Sequence, residues 1–346
     1  MFVRAQEDSI FFEGGKLHMI DQTLLPARTV MIELETPGQV EEAIRRLAVR
    51  GAPAIGIAGA YGVLLGALGA SATVESIINA ARHAGELIGA SRPTARNLFW
   101  ALERMSAVLE SFAGDPAALI DRLREAADGV ALEVIETNQK LIDAGQEVLA
   151  DGARALTHCN SGPLAALRYG TAVGVFAEAH RRGKNIHVYV DETRPLLQGS
   201  RLTAWELSRL GVPYTLITDS AAALVMRQGA VDLVMTGADR IAANGDSANK
   251  IGTYGLAVLA RAHGISFYIA APASTVDLAC RSGRDIVIEE REGEEVRTCG
   301  GRRAAPADAP VYNPAFDITP AEFIHGIVTD RGVLRPPYEE SLLVFA

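Results

Sequence analysis

The chain has 346 residues, of which 49% are hydrophobic and 22% charged, and its net charge is −9. At about 150 residues per domain this length predicts two domains, each large enough to bury a core, which excludes a disulfide-stapled miniprotein, while the apolar share excludes a disordered chain. The acidic balance argues against nonspecific attraction to nucleic acid or an anionic membrane, so any bound phosphate has to meet a local basic cluster.

The first twenty residues carry Arg4, Glu7, Asp8, Glu13 and Lys16 and offer only Ile10 to Phe12 as an apolar run, too short for a signal-peptide core. The three cysteines, Cys159, Cys280 and Cys299, form no C-x-x-C pair, which fits a reducing compartment and a cytoplasmic protein. Ile10 to Ile20 places two apolar runs around Gly14-Gly15, the signal of a β-hairpin. Thr36-Pro37 reads as an N-cap followed by proline at the first helical position, with Val40, Ala43, Ile44 and Leu47 on one face of the helix. Gly51 to Val74 holds no charged residue and contains the small-x-x-x-small pattern Gly62-Val-Leu-Leu-Gly66. Its six glycines, Pro53 and many alanines make it too weakly apolar to span a bilayer, and it is expected to be a helix buried on all sides. Val74 to Ile88, Ala95 to Leu109 and Asp115 to Leu149 repeat apolar residues at helical spacing.

Beyond about residue 150 short apolar runs alternate with helical segments, the pattern of a parallel sheet with crossover helices. The predicted strands are Ala153 to His158, Ile186 to Val190, Tyr214 to Thr218, Val231 to Thr236 and Ser266 to Ala271. Helices are expected near 163–181, 200–210, 219–228 and 250–263, and Arg281 to Ala309 is expected to be an irregular excursion. The fold class expected is therefore α/β: a small N-terminal domain of helices with a short antiparallel sheet over 1–130, then a Rossmann-like, doubly wound parallel-sheet domain over 131–346.

In such sheets ligands bind beyond the carboxyl ends of the strands, where the strand order reverses. If the order is 3-2-1-4-5, the first and fourth strands are neighbours, and Cys159 and Asp239 face each other there. Cys159 precedes Gly162-Pro163 and a helix start, a setting that favours a thiolate; the competing reading is a small buried apolar side chain. Asp239 ends an apolar strand, where desolvation would suit a general acid; the competing reading is a loop carboxylate paired with Arg240. Asp219, ahead of Ser220 and three alanines, reads as an N-cap. Asn249-Lys250 is expected to open a helix, where backbone donors, the dipole and an ammonium converge on one anion position. Arg50-Gly-Ala-Pro53 and Arg92-Pro-Thr94 offer guanidiniums at helix starts. Asp191 to Arg201 is a polar loop suited to reading hydroxyls, or one closed by an internal salt bridge. No G-x-G-x-x-G follows a strand, there is no G-x-x-x-x-G-K-[ST], and the seven histidines show neither H-x-x-x-H nor H-E-x-x-H spacing, so neither a cofactor nor a metal is expected. His158 is expected to pack at its strand end, with tuning of Cys159 as the alternative.

Six ordered segments, Arg50-Gly-Ala-Pro-Ala-Ile-Gly56, Ser91-Arg-Pro-Thr-Ala-Arg-Asn97, Thr157-His-Cys-Asn-Ser-Gly162, Asp191-Glu-Thr-Arg-Pro195, Thr236-Gly-Ala-Asp-Arg240 and Asn249-Lys-Ile-Gly-Thr253, together resemble the methylthioribose-1-phosphate isomerase family of methionine salvage. The likeness continues through Asn313 to Pro320 and Val328 to Gly332, and no motif position departs from the pattern. Ribose-1,5-bisphosphate isomerases and regulatory subunits of a translation initiation factor share the superfamily, so fold alone does not fix function. The resemblance implies catalytic roles for Cys159 and Asp239, substrate binding by Arg50, Gly51, Ala52, Arg92, Gln198, Asn249 and Lys250, and a homodimer. It implies conversion of 5-methylthioribose 1-phosphate to the ketose; 5-deoxyribose 1-phosphate and ribose 1,5-bisphosphate are the alternative sugars, and a noncatalytic regulatory subunit is the alternative class.

Overall fold

The hairpin at the start closes on a two-residue turn, with Glu13 opposite Lys16. The structure is a computed structural model that describes residues 8–71, 73–92 and 95–346. Strands β1 (Ile10–Glu13) and β2 (Lys16–Ile20) pair with β3 (Met31–Leu34) in an antiparallel sheet. Helix α1 (Pro37–Arg45) begins at a capping box: Gln39 N–H donates to the Thr36 hydroxyl and Thr36 N–H to the Gln39 side chain. Leu47, expected on its inner face, lies past the helix end at φ 63° and only half-buried, because the chain has already turned.

Helix α2 (Ala52–Leu68) is the uncharged segment, and nearly every residue of it is buried. Helices α3 (Val74–Gly89) and α4 (Arg96–Ser111) pack against it. The α2 glycines make this approach possible: a Cβ at Gly56 would sit 2.8 Å from the Asn97 carbonyl oxygen, and one at Gly66 would sit 2.6 Å from Ala84 Cβ. Among the described residues no helix is long and apolar enough to cross a membrane. Helix α5 (Pro116–Gly145) adds Leu119, Leu123, Ala127 and Val130 to this core.

The chain forms two compact units, one comprising residues up to Glu136 with Pro163–Gly170, the other Thr137–Gly162 with Thr171–Ala346. The helix expected over 163–181 is consequently broken, into α6 (Pro163–Ala166) and α7 (Ala172–Arg181). Its first part joins the first unit through three long-range bonds: Ser9 Oγ to the Pro163 carbonyl at 3.0 Å, Gln22 Nε2 to the Leu164 carbonyl at 2.8 Å, and an Arg168–Asp8 ion pair at 2.9 Å.

The second unit is built on β4 (Arg154–Thr157), β5 (His187–Asp191), β6 (Tyr214–Ile217), β7 (Leu233–Thr236) and β10 (Ser266–Ala270), the five predicted strands. They lie parallel in the order β6-β5-β4-β7-β10, extended by parallel β15 (Gly326–Thr329) and antiparallel β16 (Gly332–Leu334). This is the 3-2-1-4-5-6 order of a doubly wound sheet. Helices α7 and α8 (Ala204–Leu210) touch each other, as do α9 (Ala222–Arg227) and α10 (Thr253–Ala262). A second, four-stranded sheet joins β8 (Arg240–Ala242), β9 (Ser247–Lys250), β11 (Val276–Asp277) and β14 (Phe316–Thr319) in the order β11-β8-β9-β14. Within Arg281 to Ala309 a 3-10 turn at Gly283–Asp285, a short helix (α11, Glu294–Arg297) and a hairpin of β12 (Thr298–Cys299) with β13 (Arg302–Arg303) interrupt turns and irregular chain.

The close packing of α2 on α3 predicts that Gly66→Ala lowers stability by about 1–3 kcal/mol through overpacking. Gly85→Ala, whose added Cβ meets only Val63 Cγ2 at 3.8 Å, should be neutral or stabilise by about 0.5–1 kcal/mol, since alanine is the better helix former. Urea midpoints of the two variants that moved together would refute the packing argument.

Candidate active site

Strand order brings the thiol and the carboxyl to one edge. β4 pairs in parallel with β7, Ala155 opposite Leu233 and Leu156 opposite Val234. Both strands therefore point their carboxyl ends the same way at the reversal of the sheet, and Cys159 and Asp239 each follow a strand end by two or three residues. Asp239 is half-buried, and its N–H donates to the Ala248 carbonyl at 2.9 Å, which ties it to the strand bearing Asn249 and Lys250. The neighbouring Arg240 guanidinium is taken by Asp277, with Nε at 2.9 Å from the carboxylate. Gln198 stands buried just before the π-helical turn Gly199–Thr203, and its Oε1 has no hydrogen-bond partner among the described residues.

The second unit thus carries Cys159, Asp239, Gln198, Asn249 and Lys250. Arg50, Gly51 and Ala52 lie at the start of α2 on the first unit, and Arg92 follows α3 there; Pro93 and Thr94 lie outside the described residues.

Asn249 and Lys250 do not open a helix. They end β9, opposite Asp317 and Phe316, and α10 begins only at Thr253. The N–H groups at that helix start already have an anion, because Gly252 and Tyr254 donate to Asp317 at 2.7 and 3.0 Å. Asn249 Nδ2 donates to Thr253 Oγ1 at 2.9 Å; Lys250 Nζ donates to the Ala315 carbonyl at 2.9 Å and lies 4.6 Å from the centre of the Phe316 ring.

Cys159 adopts φ 63°, a left-handed conformation that costs a non-glycine residue on the order of 1 kcal/mol or more. Two threonine hydroxyls hold it there. Its N–H donates to Thr193 Oγ1 at 2.8 Å, and its carbonyl accepts from Thr203 Oγ1 at 2.6 Å. Thr203 also accepts from Asn160 Nδ2 at 3.1 Å, and Asn160 in turn donates to the buried carboxylate of Glu206. Thr193 lies in the Asp191–Pro195 segment and Thr203 in no motif, but the sequence shows the partner of neither, because each lies more than thirty residues from the cysteine it orients.

Beneath Cys159 the side chains of His158 and Asp191 are 2% and 1% exposed, with Nδ1 3.0 Å from Asp191 Oδ2. His158 Nε2 lies 2.9 Å from the Ile251 carbonyl oxygen and donates to it. Burial alone would pull the imidazole down, yet the bond and charge of Asp191, with the charge of Asp219, lift it above its usual value. Burial pushes Asp191 up to about 6 against the pull of His158. Burial also raises the Asp317 carboxyl, against two backbone bonds and the charges of His158 and Lys250. Asp219 is not the N-cap expected: its two oxygens accept the N–H groups of Thr193 and Arg194, each at 2.7 Å, because the loop after β5 runs beside the end of β6, where Glu192 N–H donates to the Ile217 carbonyl at 2.9 Å. One ligand atom from each of His158, Asp191 and Asp219 falls within 4.8 Å of the others; the ring nitrogens face Asp191 and the Ile251 carbonyl, and both Asp219 oxygens accept backbone N–H groups. No salt bridge closes the 191–201 loop at Arg194, which donates instead to the carbonyls of Val296 and Thr298.

A family profile described as "Initiation factor 2 subunit family" matches residues 48–336. The chain is 48% identical to methylthioribose-1-phosphate isomerase 2 of Pseudothermotoga lettingae, over 96% of either chain. Among solved structures it is similar to 5-methylthioribose 1-phosphate isomerase from Pyrococcus horikoshii, with TM-score 0.92, 46% identity and coverage of 98% of this chain and 95% of that one. It is also similar to translation initiation factor eIF-2B, subunit delta, from A. fulgidus, with TM-score 0.88, 45% identity and 98% coverage of both.

The hydroxyl clamp predicts that Thr203→Val destabilises the protein by about 1–3 kcal/mol, since it takes the partner from the half-buried Cys159 carbonyl and from one N–H of the buried Asn160 amide, and that Thr203→Ser restores most of the loss. A denaturation midpoint unchanged in Thr203→Val would show that Cys159 holds its conformation without the clamp.

Proposed function

The chain belongs to the Initiation factor 2 subunit family, and from that premise we propose that it is an aldose-ketose isomerase converting 5-methylthioribose 1-phosphate to 5-methylthioribulose 1-phosphate. The observation that carries this reading is the parallel pairing of β4 with β7, which starts the Cys159 and Asp239 loops side by side in a chain nearly half identical to proteins of that name.

An aldose 1-phosphate cannot open its ring as a free sugar does, because its anomeric oxygen is esterified. An acid must protonate the ring oxygen as the bond to C1 breaks, and Asp239 takes that role. Hydrogen then passes from C2 to C1 and the C2 hydroxyl gives up its proton, leaving a ketone with the phosphate still on C1. Return of that proton to Asp239 resets the acid. In one route Cys159 serves as a thiolate base for the C2 proton; in the other the hydrogen migrates as hydride in a water-excluding site. Solvent deuterium in the product supports proton transfer, and its absence favours hydride migration.

Gln198, Asn249 and Lys250 are assigned to the substrate, and so are Arg50, Gly51, Ala52 and Arg92 of the first unit. We assign a homodimer, as the sequence resemblance implies, acting in the cytoplasm, in line with cysteines that form no C-x-x-C pair. A second reading, a noncatalytic regulatory subunit, draws on the likeness to the eIF-2B delta structure; it gives no reason for Cys159, Asp239 and Lys250 to occur together.

Incubation with 5-methylthioribose 1-phosphate should yield the ketose phosphate, with a larger kcat/KM than for 5-deoxyribose 1-phosphate or ribose 1,5-bisphosphate; no ketose from any of the three would favour the regulatory reading. Asp239→Asn should lower turnover about 10²- to 10⁴-fold with KM nearly unchanged; near-normal turnover would remove it from the mechanism. Lys250→Ala should chiefly raise KM, as expected for a group that holds phosphate in ground and transition states alike, and an unchanged KM would count against that role.

A further inference from the structure

The chemistry assigned to Cys159 and Asp239 makes no use of the buried His158 ring, yet that ring joins three segments of the second unit. His158 is the residue before Cys159. Its Nδ1 faces Asp191 at the end of β5, and its Nε2 faces the carbonyl of Ile251, the residue after Lys250. Gly252 packs directly on the ring: its φ is +106°, and a Cβ there would lie 2.9 Å from both Cε1 and Nε2. The acidic groups around the imidazole are Asp191 at the end of β5, Asp219 after β6 and Asp317 on β14. Both ring nitrogens face acceptors, and only an imidazolium donates from both at once.

We propose that His158 is a positioning residue for the isomerisation: as an imidazolium anchored by Asp191, it holds the Ile251 carbonyl, and through it Lys250, in register with the strand end that carries Cys159. This rests on the reading of Lys250 as a substrate-phosphate ligand. The two bonds at 3.0 and 2.9 Å lock the ring between β5 and the turn after β9. Without them that turn can shift, and the ammonium of the preceding residue shifts with it. Loss of the ring's donors should therefore act on binding before it acts on the chemical step.

The test uses the full-length protein. His158→Phe keeps a ring but removes both donors, and KM should rise about tenfold or more, as for the loss of one buried hydrogen bond, with kcat changed less than KM. His158→Gln restores a donor within reach of the Ile251 carbonyl and should recover most of the KM. A His158→Phe variant that melts as the wild type does and keeps its KM overturns the proposal, as does a fall in kcat at constant KM. Nitrogen NMR of the protein labelled with [15N]histidine gives a readout independent of activity and of that variant's folding: at neutral pH His158 should carry protons on both nitrogens, and in Asp191→Asn on one. A neutral His158 in the wild type overturns the proposal. Absence of any ketose product from the wild type would instead overturn the functional reading and leave the protonation result standing.

Discussion

Everything the second unit does depends on one strand pairing. The chain lays β4, β5 and β6 outward in one direction, then returns to place β7 on the other side of β4. Parallel neighbours end at the same edge, so the loops after β4 and β7 start side by side at the point where the strand order reverses. One loop supplies a thiol and the other a carboxyl. Had β7 joined the far side of β6, the same residues would have been separated by two strands, and no local sequence feature could have brought them together.

Around that edge the protein spends stability on precision. Cys159 sits in a left-handed conformation held by two buried threonine hydroxyls, and the imidazole beneath it is held by a buried carboxylate. Neither arrangement serves folding by itself. A left-handed nonglycine residue and a buried histidine–carboxylate contact both cost free energy, and such costs persist only where surrounding structure over-determines the geometry. The second, four-stranded sheet contributes to the same end, since Asp239 is bonded to the strand that carries Asn249 and Lys250.

The sequence makes the scaffold easy to read because the scaffold is apolar and periodic. All five parallel strands and the helices of the first unit follow from runs such as Val231 to Thr236 and the uncharged Gly51 to Val74 stretch. What escapes is what long-range bonds decide. Asn249-Lys250 carries no β signal, yet it pairs with Asp317 and Phe316 in a sheet completed some sixty-five residues later. The segment at 163–170 looks helical, but its carbonyls are drawn to Ser9 and Gln22. Asp219 resembles a cap, and its carboxylate instead serves the backbone of another loop. Strand-end position and motif nominate Cys159 and Asp239 as site candidates; the bonds of Thr193 and Thr203 to Cys159 and the pairing of His158 with Asp191 cannot be read from the sequence, because they exist only in three dimensions.

An isomerase of this kind moves hydrogen between adjacent carbons and leaves the phosphoester intact. The most direct measurement is a combined carbon and phosphorus NMR time course on 5-methylthioribose 1-phosphate labelled with carbon-13 at C1. The expected result is loss of the anomeric carbon signal and growth of a methylene carbon still coupled to phosphorus, with no inorganic phosphate released. A labelled C1 that stays anomeric, or one that loses its phosphorus coupling as free phosphate appears, would contradict the assignment.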